Sequence, residues 1–109
     1  MVRIEFLGAW KDEDMQAVRD VTMTGIEKNL KISILPAYFE AVKVRSGKKF
    51  GNGVKITISL FPAGNGRMRR QTAQEIAENI ALKTGIPQGN ISVTLDAPPQ
   101  ERRSYAEEH

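Results

Sequence analysis

The chain has no cysteine, and its only histidine is the last residue, His109. These absences exclude disulfides, thiolate nucleophiles, cysteine–zinc sites, histidine triads and multi-histidine metal centres. A cysteine-free chain fits a reducing cytoplasm, which is the expected location. Aromatic residues make up 6% of the chain, too few for a stacking surface on single-stranded nucleic acid. The longest apolar runs are a few residues, far short of a membrane span, and no secretory-signal pattern opens the chain. No cofactor, metal or membrane partner is expected, and nucleic acid is disfavoured.

What is present suits one modest globular core: 109 residues, 40% hydrophobic and 27% charged. Net charge is +3. Basic residues cluster at Lys43, Arg45, Lys48, Lys49 and Lys55, and again at Arg67, Arg69 and Arg70. Such clusters favour anionic partners, with solvated basic loops as the plain alternative.

Alternation of Val2, Ile4 and Phe6 with Arg3 and Glu5 predicts a strand over Val2–Gly8 with one buried face. A helix is expected from Asp12 to Leu30, with Asp12 as N-cap and Glu13 and Asp14 in the first turn. Its stripe is Met15, Val18, Thr22, Ile26 and Leu30, and Gly25 inside it marks close packing. A second strand follows Pro36, over Tyr38–Arg45, and "SGKKFGNG" (Ser46–Gly53) is turn chemistry. A third strand covers Val54–Phe61. The loop containing Gly64–Gly66 leads into a second helix with the stripe Ala73, Ile76, Ala77, Ile80 and Ala81. Glu75 and Glu78 should face outward, and Gly85 should stop that helix. The fourth strand is Asn90–Asp96. Residues 97–109, with Pro98–Pro99, read as an extended arm whose Arg102, Arg103 and Tyr105 could reach a neighbouring subunit.

The order is β-α-β-β-α-β, and its halves are alike. Pro36 and Pro87 are 51 residues apart, as are Val42 and Val93, and Val44 and Leu95. Val2, Ile4 and Phe6 map onto Val54, Ile56 and Ile58 at an offset of 52. One unit is used twice: strand, right-handed helical crossover, parallel strand, with a proline ending each helix. The expected fold is α/β, with duplicated β-α-β units forming a four-stranded mixed sheet and two helices on one face. Residues 1–96 form one domain of two repeats, 1–45 and 54–96.

A duplicated unit of this size resembles the tautomerase superfamily, which includes 4-oxalocrotonate tautomerase and macrophage migration inhibitory factor. The resemblance covers Val2 to Asp96 and is carried by "PAYFEAVKV", "GIPQGNISVTLD" and "NGRMRRQ". It implies a homotrimer with a central channel, and a general base at an amino-terminal proline acting on a small anionic 2-oxo acid or enol. It also implies that arginines hold the carboxylate and stabilise enolate-like charge. Here the proline's place falls on Val2, so the amine belongs to Met1, or to Val2 once methionine is removed. Arg67 matches the family's glycine–arginine motif, Arg70 lies beside it, and Tyr38 matches a pocket-lining tyrosine. A second arginine, five residues past the helix-ending proline in the single-unit enzymes, is here Ala41 and Ser92.

From the residues alone, Tyr38 could line a pocket or pack at a subunit boundary, and Trp10 is an interface or staple residue. Glu5 and Glu40 fall on outer faces. Three readings of function stay open. The first is a tautomerase-like enzyme with Met1 or Val2 at the pocket and Arg67, Arg70 and Tyr38 binding substrate. The second is an inactive binding or assembly module of the same fold. The third is a ferredoxin-like domain binding nucleic acid or protein, in which strands two and three would pair as a hairpin.

Overall fold

A computed structural model describes residues 1–44, 51–59 and 66–96. The expected arm at 97–109, most of the Ser46–Gly53 turn and the start of the Gly64–Gly66 loop lie outside the described residues. The elements are β1 (Val2–Leu7), α1 (Asp12–Leu30), β2 (Phe39–Val44), β3 (Gly53–Ser59), α2 (Gly66–Thr84) and β4 (Ile91–Asp96). Two short 3-10 turns, Pro36–Tyr38 and Gln88–Asn90, lead into β2 and β4.

The sheet order is β2-β1-β3-β4. β1 pairs with β2 in parallel and with β3 antiparallel, and β3 pairs with β4 in parallel. Strands two and three are not neighbours, which rules out the ferredoxin-like arrangement. A parallel pair cannot be closed by a tight turn, so each half needs its helical crossover. Alternation makes Val2, Ile4, Phe6, Val54, Ile56 and Ile58 one apolar face, at most 1% exposed. Val18, Ile26, Ile76 and Ile80 of the helices close over it. Thr22 and Thr72 are buried there too, and their hydroxyls donate to the carbonyls of Val18 and Met68, both at 2.7 Å.

Helix ends differ from expectation. Lys11, not Asp12, occupies the N-cap, and its carbonyl accepts from the amides of Asp14 and Met15. Asp12 is the first helical residue, where its charge still favours the helix dipole. The helices end at left-handed residues, Lys31 (φ 55°) and Gly85 (φ 75°), before either proline. Pro36 opens its 3-10 turn, whereas Pro87 precedes the corresponding turn, so the prolines are not equivalent.

That slip corrects the repeat. Ile4 faces Ala41 and Ile56 faces Val93, so Ala41 matches Val93 and Lys43 matches Leu95, at the same offset of 52 as β1 and β3. Val42 lies opposite Glu5 and Val44 opposite Leu7, on the sheet face that the helices leave open. A one-residue shift in a strand moves a side chain to the other face. On that open face Arg3 pairs with Glu5 at 3.1 Å and with Glu40 at 3.7 Å.

The β1–α1 connection is held from outside. Asn52 accepts from the Ala9 amide at 3.0 Å and donates to its carbonyl at 2.8 Å. Gly8 (φ 98°) permits this, since a Cβ there would sit 2.5 Å from Asn52 Oδ1. Trp10 is the staple: its ring meets Phe6 edge-on at 4.9 Å, and Nε1 donates to the carbonyls of Leu7 and Gly53.

Gly25 lets α1 and α2 close together, because a Cβ there would lie 2.6 Å from Ile76 Cγ1. Glu75, expected to face outward, instead bridges the helices. It accepts from Lys28 Nζ at 2.9 Å and from Asn29 Nδ2 at 2.7 Å. The bonds from Lys28 and Asn29 hold its carboxyl below the usual carboxylate value, against some desolvation.

Two measurements check this packing. Gly25→Ala should lower stability in urea by about 1–3 kcal/mol, because overpacking against Ile76 exceeds the ~1 kcal/mol helix-propensity gain. A more stable variant would show that the helices have room. A carboxyl lowered on folding stabilises above its unfolded value, and that stability is lost as pH falls through the folded value. Glu75→Gln should therefore cost under about 1 kcal/mol at pH 7, as exposed pairs do, and the difference from wild type should shrink in acid. An acid-independent difference would contradict the bridge.

Candidate functional site

Strand directions gather the predicted residues at one end of the sheet. β1 begins there with Met1, β3 ends there with Ser59, and the turn carrying Tyr38 enters β2 there. α1 ends and α2 begins at the same end, which brings Lys31 and Arg67 to it. Met1 continues the β1–β3 ladder. Its amino group donates to the Ser59 carbonyl, and its carbonyl accepts from the Ser59 amide at 2.8 Å. Met1 is 59% exposed and Val2 is wholly buried. Val2 therefore supplies core, and Met1 stands outside it.

Arg67 is exposed on the first turn of α2, a turn without acidic residues. Gly66 leaves room beneath Arg70, whose Nη1 would lie 3.5 Å from a Cβ at that position. Arg69 and Arg70 border a groove of about 270 Å³ between α2 and β4, floored by Ala73, Val93 and Leu95. Met1, Tyr38 and Arg67 do not line it. Tyr38 is 51% exposed. This end carries the Met1 amine, Lys31, Arg67, Arg69 and Arg70 together with Glu40, which pairs with Arg3, and Asp96, in register with Ser59, whereas Asp12, Glu13 and Asp14 of α1's first turn stand at the opposite end. Anions are the ligands such a field attracts.

Ser59 was not legible as a site residue. Only the antiparallel register places its carbonyl against the Met1 amine, and nothing in "VKITIS" signals it. Among the described residues, no cluster of histidine, aspartate or glutamate could hold a metal. None of the described helices is long and apolar enough to cross a membrane.

No family model matches the chain, and no curated relative matches its sequence. Solved structures do match. An FG41 malonate semialdehyde decarboxylase inhibited by 3-bromopropiolate superposes with a TM-score of 0.74 at 13% identity, over 93% of this chain and 86% of that one. The chain has the tautomerase fold. A fused 4-OT described as a wild-type symmetric trimer gives a TM-score of 0.73 at 14% identity, over 91% and 88% of the two chains. Macrophage migration inhibitory factor of Toxoplasma gondii gives 0.63 at 15% identity, over 91% and 92%. The tautomerase fold thus spans both repeats.

Proposed function

We propose that this chain is a tautomerase-superfamily protein that binds a small anionic 2-oxo acid or enol at the amino-terminal end of its sheet and moves a proton with the Met1 amine. The observation that carries this reading is the exposed amine, fixed on the Ser59 carbonyl at the end of the sheet where Arg67 and Arg70 start α2. In its neutral form the amine takes a proton from the carbon beside the oxo group. The electron pair moves onto the oxygen as an enolate, and the proton is then delivered to oxygen or to another carbon. Arg67 and Arg70 hold the carboxylate and offset the developing charge.

The working unit is a homotrimer. A second copy packed against the exposed Tyr38 would make it a pocket wall, and the outer strands, β2 and β4, are edges among the described residues. Leu7, Val42 and Val44 are half-buried on a face that no described helix covers. Two structural neighbours are described as symmetric trimers.

A second reading, a binding or assembly module without proton transfer, is favoured by one observation. Val2 occupies the proline's place and is wholly buried, so methionine removal would leave an amine on a core residue. Phenylpyruvate ketonisation separates the two. The chain should exceed the buffer rate, Nα-acetylation should abolish the excess, and Arg67→Gln should cut kcat/KM by about a hundredfold. No rate above buffer would leave the binding module. A rate untouched by acetylation would remove Met1 from the chemistry.

A further inference from the structure

The two halves of the fold build the same groove twice and fill it differently. Beside β4 the groove lies under Gly66, Arg69, Arg70 and Ala73 and over Val93 and Leu95. Beside β2 the equivalent groove lies under Asp12, Met15, Gln16 and Arg19 and over Ala41 and Lys43. Valine is replaced by alanine and leucine by lysine at the matching register positions. The space grows from about 270 Å³ to about 410 Å³, and Phe6 becomes part of the lining.

The larger groove carries charge of both signs that no other described residue neutralises. Among the described residues, Asp12, Arg19 and Lys43 make no ion pair with one another or with a neighbour. Asp12 and Arg19 are two turns apart on one face of α1, about 10 Å along its axis. Lys43 stands on the opposite wall, paired in register with Phe6. Met15, Ala41 and Phe6 supply apolar surface between the charged ends.

We infer that this groove is a second binding site, for a small zwitterion whose ammonium and carboxylate are separated by a short apolar chain, as in an ω-amino acid. Asp12 receives the ammonium, Arg19 receives the carboxylate, and the chain lies on Met15 and Ala41. A simple anion would meet Asp12, and a simple cation would meet Arg19 and Lys43, so each single charge faces repulsion. The site is at the end of the sheet away from Met1 and does not depend on the reading of that terminus.

The probe is 6-aminohexanoate, titrated into the ¹⁵N-labelled full chain, with hexanoate and hexylamine as single-charge controls. Amide shifts should centre on 12–19 and 41–43, and each control should bind about tenfold or more weakly, the value of one charge-assisted contact. Asp12→Asn should bring 6-aminohexanoate down to the hexanoate level. The double variant Ala41→Val, Lys43→Leu copies the β4 groove, so it should fold and lose the site. Hexanoate binding as well as 6-aminohexanoate, shifts centred elsewhere, or no shift at millimolar probe would each overturn the inference.

Discussion

Parallel pairing of each returning strand with the strand that launched it is the constraint on which the rest depends. β2 returns beside β1 and β4 beside β3, so each half must cross over through a helix. Right-handed crossovers put both helices on one face of the sheet. The apolar sides of β1 and β3 are then sealed, and among the described residues the other face stays open and β2 and β4 are left as edges. The same geometry brings the chain's amino terminus, the end of β3 and the start of α2 together. A core built for stability thereby gathers an amine and two arginines at one end.

Duplication makes the halves comparable, and the comparison is informative where they differ. Cores coincide: Val2, Ile4 and Phe6 in one half do what Val54, Ile56 and Ile58 do in the other. Helix starts do not, since α1 opens with three acidic residues and α2 with arginines. The strand positions under the helices differ as well, with Ala41 and Lys43 against Val93 and Leu95. Shared positions carry packing, and divergent positions carry the chemistry proposed for both ends.

Element order, both helices and the buried faces of β1 and β3 were legible, because period-two and 3.6-residue patterns report burial directly. The face of β2 was not. Matching Pro36 to Pro87 pairs Val42 and Val44 with Val93 and Leu95, which lie on the other face. Register decides faces, and it is set by 3-10 turns whose start relative to each proline has no local signal. The bridge from Glu75 to Lys28 and Asn29 was invisible for a related reason, since it depends on how closely Gly25 lets two helices approach. Of the candidate site, Arg67, Arg70 and Tyr38 were named from motifs. The hold of Ser59 on the amino terminus exists only once β1 and β3 pair.

The site proposed at the amino-terminal end, made from an exposed terminus, exposed arginines and an exposed tyrosine, needs another copy to close it. The central claim is therefore most directly tested by the mass of the purified protein in solution, measured by light scattering behind a sizing column. The account predicts three times the 12.1 kDa of one chain, unchanged on dilution through the micromolar range. A particle of one chain's mass would contradict it.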